Sequence, residues 1–192
     1  MPTSTDNTIV LTGETLHGFT LVEMLVVIGV AAILMAIAVP GMRGFMLNQR
    51  GATAASSLIT SLSLARSEAI KEDAAAVGVR VCASADGATC DPAGVWSNGW
   101  IVLPPPVISL APLQVVGPMP TGLTLTAQPA LATVAFLSSG QTAALGAAFV
   151  AFKVCDSRGA NYAREIEVSL GGQIQAAPTV GHDVAGAALA CP

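Results

Sequence analysis

The chain has 192 residues, which is enough for one domain of ordinary size plus an anchor but not for a second large domain. Hydrophobic residues make up 53% of it and charged residues 10%, a composition that excludes a disordered chain and predicts a membrane segment. The formal net charge is -4, so the chain has no general electrostatic attraction for nucleic acid.

The first long element is the apolar run Phe19–Val39, FTLVEMLVVIGVAAILMAIAV, in which Glu23 is the single charged residue. At about 1.5 Å per residue, a helix of this length crosses a hydrocarbon core of ~30 Å. In a cleaved secretory signal the small residue at the cut follows the apolar run, whereas here Gly18 precedes it. We therefore expect cleavage to leave the helix on the mature chain.

The acidic residue in this run needs an explanation, because a carboxylate inside a membrane helix costs about 3 kcal/mol or more. A glutamate that snorkels from near the helix end is the simpler interpretation of Glu23. The string Gly18–Glu23, GFTLVE, favours another, because a string of this kind before an apolar helix resembles the class III signal of type IV pilins and type II secretion pseudopilins.

This resemblance implies three roles at the N-terminus. A prepilin peptidase would cut between Gly18 and Phe19, and the new amino group of Phe19 would be methylated. Glu23 would form a salt bridge to the amino terminus of a neighbouring subunit in a filament. An unpaired charge is penalised in a low-dielectric filament core, so such a bridge would fix the axial register between subunits.

Pro40-Gly41 follows the apolar run and predicts a kink rather than the end of the helix. Beyond it an apolar face recurs at steps of three and four residues and predicts an amphipathic helix to about Glu72. That face is formed by Leu47, Ala54, Leu58, Leu62, Ala65 and Ala69. The opposite face is formed by Ser56, Ser57, Thr60, Ser61 and Ser63. We expect this half of the helix to lie against a sheet.

Short alternating segments predict strands in the rest of the chain, and together one antiparallel sheet. They are Val77–Cys82, Trp100–Leu103, Leu123–Thr126, Thr133–Leu137, Ala148–Cys155, Ala163–Leu170 and Gln173–Ala176. Asp86-Gly87 predicts a turn, and Gly171-Gly172 predicts a hairpin turn. Residues 104–122 contain six prolines and predict an irregular loop or polyproline-II segment, with a subunit contact as the less favoured interpretation.

The four cysteines all follow the apolar run, so they would share one compartment, and an oxidising periplasm would permit two disulfides. Four cysteines allow three pairings, of which Cys82–Cys90 with Cys155–Cys191 is the simplest. A zinc site is the alternative. The chain has no C-x-x-C pair, however, and after cleavage His182 would be the single imidazole ligand of such a site.

Residues 64–103 resemble the GspH/FimT family of minor pseudopilins and minor pilins. The resemblance rests on Leu64–Ile70 (LARSEAI), the strand that ends at Cys82, and Trp96–Trp100 (WSNGW), with a looser match over 155–175. It implies an α+β type IV pilin-like fold, in which a long N-terminal helix packs on a small antiparallel sheet. In a purely structural interpretation, Arg66 and Glu68 lie on an exposed helix face, and the two tryptophans pack on the core.

Some FimT-like proteins are associated with DNA uptake through a Gly-Arg-x-Arg pattern, and this chain has Gly171–Gln175, GGQIQ, at the similar place. Both arginines are missing there. Arg158 and Arg164 are the candidate DNA contacts that remain, and with Lys153 they are balanced by Asp156, Glu165 and Glu167. DNA is therefore an unlikely partner.

An enzyme is the third class considered. After cleavage one histidine remains, His182 next to Asp183, without a nucleophile motif, a phosphate-binding loop or metal-ligand spacing. We expect a solvated tail there rather than a catalytic dyad, and no cofactor or metal.

The sequence analysis therefore predicts four segments: a cleaved leader (1–18), a transmembrane or filament-core helix (19–40), an amphipathic continuation (41–72) and a periplasmic β-rich head (73–192). The expected protein is a GspH-like minor pseudopilin of type II secretion in the bacterial inner membrane. A FimT-like minor pilin of a type IV pilus is the alternative. Its expected partners are other pseudopilins or pilins, prepilin peptidase and inner-membrane lipid.

Overall fold

A single helix, α1 (Leu21–Lys71), includes both the apolar run and the amphipathic stretch. The computed structural model describes residues 18–71, 78–105, 111–143 and 145–191, with backbone alone at 39–41. The helix continues through Pro40, as predicted, and the kink stays a prediction. The predicted helix end at Glu72 and the strand start at Val77 lie outside the described residues.

The chain divides into two compact units, Met1–Arg43 and Gly44–Pro192. We call the second unit the head. Its strands form two four-stranded antiparallel sheets, where the sequence predicted one. The first sheet has the order β3-β2-β1-β5, with β1 (Val79–Ala83), β2 (Trp100–Leu103), β3 (Gln114–Val116) and β5 (Thr133–Phe136). The second sheet has the order β4-β6-β7-β8, with β4 (Leu123–Gln128), β6 (Phe149–Asp156), β7 (Arg164–Ser169) and β8 (Ile174–Ala176).

The sequence did not indicate the division of the antiparallel strands into two sheets, for a physical reason. Alternation along a strand indicates which side chains face the core, but it does not indicate which strands pair. Here β5 returns to pair with β1, and β4 pairs with β6 across a longer connection. The inner faces of both sheets and one face of α1 share a common hydrophobic core.

The core confirms the predicted apolar face of the helix from Ala54 onward, whereas Leu47 is only half-buried. The fully buried members of the core from α1 are Leu58, Leu62, Ala65 and Ala69. Trp96 and Trp100, which flank the turn at Asn98-Gly99, are both fully buried, as the structural interpretation predicted. The Trp96 ring meets Phe152 of β6 edge to face, with centroids 4.8 Å apart, so the turn joins the first sheet to the second.

One residue of the predicted polar helix face lies in the core instead. Ser61 is 0% exposed, and its hydroxyl accepts a hydrogen bond of 2.9 Å from the Trp100 indole N–H. A buried indole N–H needs an acceptor, and Ser61 provides it while its own hydroxyl donates to the Ser57 carbonyl at 3.0 Å. Ser61 is therefore a polar residue of the core, where it binds the Trp100 indole, and it does not face solvent.

The proline-rich segment also contains regular structure that the sequence analysis did not predict. Gln114–Val116 forms β3, which pairs with β2 so that Val116 lies opposite Trp100. No proline falls within these three residues, and Val115 and Val116 are β-branched, so the short stretch satisfies the requirements of a strand. Residues 106–110 of the predicted loop lie outside the described residues.

Candidate functional site

The N-terminal segment begins with a capped helix. The Thr20 hydroxyl accepts a hydrogen bond from the Glu23 backbone N–H at 3.2 Å, and the Thr20 carbonyl accepts one from Met24 at 3.2 Å. Thr20-x-x-Glu23 is the spacing of a capping box, a signal that the sequence analysis missed. The carboxylate of Glu23 lies in the first turn, where the helix dipole favours a negative charge.

The window Leu21–Ala38 is long and apolar enough to cross a membrane, by length and composition, and none of it is buried. Gly18, Phe19 and Glu23 are also exposed. Contiguous apolar surface of this extent indicates a contact with lipid or with other proteins. The segment thus exposes the Gly18–Phe19 peptide bond, an apolar stem and one carboxylate.

Two disulfides fix loops of the head, Cys82–Cys90 and Cys155–Cys191, which is the pairing that the sequence analysis favoured. Inside the first loop the carboxylate of Asp86 accepts hydrogen bonds from the backbone N–H groups of Ala88 and Thr89 and from the hydroxyls of Thr89 and Ser84. These bonds, the backbone ones first, hold the pKa of Asp86 well below its usual range. The Asp86 carboxylate therefore caps the backbone N–H groups of the predicted Asp86-Gly87 turn.

Arg158 is bound to its own chain on several sides. Its guanidinium donates to both carboxylate oxygens of Asp156, at 2.6 to 3.1 Å, and to the side-chain oxygen of Asn48 at 2.8 Å. A further bond of 3.3 Å reaches the Gly44 carbonyl, and the Tyr162 ring lies 4.0 Å from the guanidinium carbon. Arg158 thus fastens the β6–β7 connection to the first turns of α1 within the head.

The ion pair changes the titration of both partners. Hydrogen bonding by Arg158, the largest cause, lowers the pKa of Asp156, and the same bond raises the pKa of Arg158. The Asp156 side chain is 5% exposed, so its negative charge depends on this partner. Arg158 therefore has a structural role. To bind it, a DNA phosphate would have to displace the carboxylate of Asp156 or the side chain of Asn48.

The other cations considered for DNA contact are also close to protein groups. Arg164 is half-buried, and its Nε lies 3.8 Å from where a Cβ on Gly51 of α1 would be. Lys153 on β6 is the cross-strand neighbour of Glu165 on β7. Lys153 therefore lies beside an acid, while Arg158 and Arg164 both lie near α1, at Asn48 and Gly51.

A buried carboxylate lies under the C-terminal tail. Glu165 is 5% exposed and accepts a weak hydrogen bond of 3.4 Å from the Val184 backbone N–H. Burial, the largest cause, raises its pKa, while that bond and Lys153 act in the opposite direction. His182 and Asp183 belong to this folded, half-buried tail, where Asp183 caps the Ala187 backbone N–H at 2.7 Å. The expectation of a solvated tail was wrong for these two residues.

Arg66 and Glu68 of α1 were expected on an exposed helix face, and Arg66 departs from that expectation. Arg66 is half-buried, and its Nε donates to the Gly140 carbonyl at 3.1 Å. Glu68 pairs with Lys71 at 2.7 Å on the helix surface. Among the described residues, no group of three or more His, Cys, Asp or Glu side chains could hold a metal ion.

Comparison with known proteins places these features in context. The family model described as type II transport protein GspH matches residues 54–172, and the prokaryotic N-terminal methylation motif matches residues 17–39. Among solved structures, the type IV minor pilin FimU of Pseudomonas aeruginosa in space group P21 is 24% identical, with TM-score 0.53 over 68% of this chain and 90% of that chain. Its P65 crystal form is 23% identical, with TM-score 0.50 over 66% and 91%.

At such identities the FimU structures show a shared fold, the type IV pilin fold expected from the sequence. No curated protein matches the chain significantly. The GspH model, however, spans more than half of the sequence and covers the core of the head. The chain belongs to the GspH family of type IV pilin-like proteins, whose members are structural subunits of pseudopili and pili.

Proposed function

We propose that the chain is a minor pseudopilin of a type II secretion system, a structural subunit that supports protein export. The observation that carries this proposal is the match of residues 54–172 to the GspH family model. The methylation motif and the exposed apolar helix support it, because a filament subunit needs an anchor before assembly and a helix for the filament core afterwards.

In this proposal the segments have distinct tasks. Residues 1–18 are a leader that prepilin peptidase removes, residues 19–40 lie in the inner membrane or the filament core, and residues 41–72 continue the helix. Residues 73–192 form the β-rich part of the head, in the periplasm. An oxidising periplasm suits the disulfides Cys82–Cys90 and Cys155–Cys191. The protein acts by assembly and contact, without catalysis.

Glu23 would set the register of the helix in the filament by pairing with the methylated amino terminus, at Phe19, of a neighbouring subunit. We predict that Glu23→Ala leaves membrane insertion and leader cleavage normal but lowers co-isolation with the other subunits roughly tenfold, the loss expected for one charge-assisted bond. Glu23→Gln should behave like Glu23→Ala, and Glu68→Ala, which removes a surface acid of the head, should not. Normal co-isolation of both Glu23 variants would refute the register role.

The second candidate is a FimT-like minor pilin of a type IV pilus, favoured by the similarity in fold to the minor pilin FimU. A clean deletion of the gene separates the two machines when export of folded periplasmic enzymes is assayed beside twitching and DNA uptake. Loss of export with normal motility supports type II secretion. Loss of motility or uptake with normal export supports a pilus subunit.

A further inference from the structure

The two edges of the second sheet differ in whether their outward backbone groups are hydrogen-bonded. At the β4 edge, the Ser97 hydroxyl accepts a hydrogen bond from the Leu125 N–H at 2.9 Å and donates to the Leu125 carbonyl at 3.2 Å. The Leu123 N–H on the same edge donates to the Pro120 carbonyl at 3.0 Å. A strand from outside would have to displace these bonds, so the β4 edge is closed.

The β8 edge is open. Its register with β7 is marked by the bonds Ser169 N to Gln173 O at 3.0 Å and Ala177 N to Glu165 O at 2.9 Å. Because antiparallel pairs alternate, the N–H and C=O groups of Ile174 and Ala176 point away from β7. Within the described part of the chain, no hydrogen bond reaches these four groups.

β8 is a short edge strand of three residues, and its side chains add no further protection. Gln173–Ala177, QIQAA, contains no charged residue and no proline, the two side-chain devices that block strand addition. Ala176 is exposed, so its backbone can be approached from outside.

A groove runs beside this edge, between β8 and α1. Its volume is about 370 Å³, and it is lined by Ser63, Arg66, Ser67, Ile70, Gln173 and Ile174. Ile70 is 53% exposed there, although it is a large aliphatic side chain. Among the described residues, Arg66 is the one charged residue of the lining, and its bond to the Gly140 carbonyl holds the guanidinium in place. The groove therefore combines an exposed aliphatic side chain and a positive charge, and it lies beside the backbone groups of the β8 edge.

We propose that β8 is a docking edge for an extended segment of a different filament subunit, which adds antiparallel or parallel to Ile174–Ala176. The segment would place an apolar side chain over Ile70 and a carboxylate beside Arg66. Main-chain hydrogen bonds supply affinity in this mode of recognition, and the flanking pocket supplies specificity. A second copy of this chain is disfavoured as the occupant, because edge-to-edge pairing would bring two Arg66 side chains towards one another. The inference rests on the proposed function as a filament subunit.

The test uses the full-length chain in its host membrane. Photoreactive benzoylphenylalanine replaces Ser63 in the groove, and adducts are identified by mass spectrometry. Ala176→Pro removes one outward N–H from the edge, and Ala176→Val keeps it. We expect an adduct with a different filament subunit in the parent and in Ala176→Val, and roughly tenfold less of it in Ala176→Pro, since each net hydrogen bond contributes about one factor of ten.

A second pair of variants keeps the test decisive if Ala176→Pro fails to accumulate in the membrane. Ser67→Trp fills the groove from the helix surface, and Ser67→Ala is its control. The Trp variant should lose the adduct and the Ala variant should keep it. An adduct that is unchanged by either blocking variant, or one that contains a second copy of this chain, overturns the proposal.

The readouts also separate this inference from the proposed function. If the chain co-isolates with filament subunits in a Glu23-dependent manner but gives no adduct from position 63, the β8 proposal fails and the subunit assignment stands. If co-isolation is absent and deletion of the gene affects neither export nor motility, the subunit assignment fails, and the β8 proposal fails with it.

Discussion

In the segment Leu21–Ala38 no residue is buried, although nearly every side chain is apolar. In the head, Gly44–Pro192, apolar side chains from one helix face and from the inner faces of two sheets form a common buried core. The head follows the ordinary logic of a soluble domain, in which burial of apolar surface drives folding. Exposed apolar surface of this extent, as in the N-terminal segment, marks a contact with lipid or with other proteins.

This difference indicates that the two units should respond to different perturbations. A core substitution in the head should change the free energy of unfolding without changing membrane insertion. A polar substitution in the N-terminal segment should do the reverse.

The largest effect is expected at Trp100. It is fully buried and donates its indole N–H to Ser61, so Trp100→Ala would leave a cavity and remove the donor to the Ser61 hydroxyl. We predict a loss of about 3–5 kcal/mol in the free energy of unfolding. Trp100→Phe, which keeps a ring but loses the N–H, should cost about 1–2 kcal/mol. Urea titration of the detergent-solubilised chain, followed by Trp96 fluorescence, measures both. Equal losses would contradict the role of the cavity.

The second prediction concerns the apolar window itself. Ile28 is 66% exposed near its middle, so Ile28→Arg should cost about 3 kcal/mol of membrane insertion. Ile28→Leu is the matched control. The fraction of chain that resists carbonate extraction should fall for the Arg variant alone, with the urea midpoint of the head unchanged. If the urea midpoint fell as well, the two units would not be energetically separate.

The sequence indicated the parts of this fold that depend on local periodicity. The apolar face Leu58–Ala69 was predicted because helical steps of three and four residues place those side chains together. The hairpin turn at Gly171-Gly172 was also predicted and is confirmed, since Gly172 has φ +74° and its N–H bonds to the Ser169 carbonyl at 2.9 Å. Both features follow from residues that are close in sequence.

Features that depend on distant partners were not predictable in the same way. In the sequence Ser61 resembles its polar neighbours on the helix. Its burial depends on Trp100, 39 positions away, whose indole N–H needs an acceptor. The separation into two sheets depends on which edges meet, and alternation within a strand carries no such information. The sequence left Arg158 as a candidate contact for DNA. Its bonds to Asn48 and Gly44 join positions that are 110 and 114 residues apart, and no local pattern reveals them.

The third prediction tests the structural role of Arg158. Arg158→Ala leaves the buried carboxylate of Asp156 without its cation, and we predict a loss of about 1–3 kcal/mol in the free energy of unfolding. Arg158→Lys should retain part of the stability, since an ammonium cannot reproduce the planar fork. Arg164→Ala, which removes the neighbouring candidate cation, should stay within about 0.5 kcal/mol of the parent chain. A larger loss for Arg164→Ala than for Arg158→Ala would contradict this assignment.

The smallest effect is expected at Glu165, and it has the opposite sign. Burial raises the pKa of this carboxyl in the folded state, so the native state binds the proton more tightly than the unfolded state does. Ionisation therefore destabilises the head, with a penalty that appears above the unfolded pKa and is complete above the folded pKa. Glu165→Gln removes this charge and keeps an oxygen for the Val184 N–H, so it should raise stability at pH 7 by less than about 1 kcal/mol.

The pH dependence distinguishes this mechanism from better packing of the amide. The gain from Glu165→Gln should shrink as the pH falls through the carboxyl range and disappear near pH 3, where the parent carboxyl is protonated in both states. Glu167→Gln on the same face of β7 is the control, because Glu167 is half-buried and has no place under the tail. Thermal unfolding at a series of pH values measures both variants. A gain that persists at pH 3 would show that burial of the charge is not its cause.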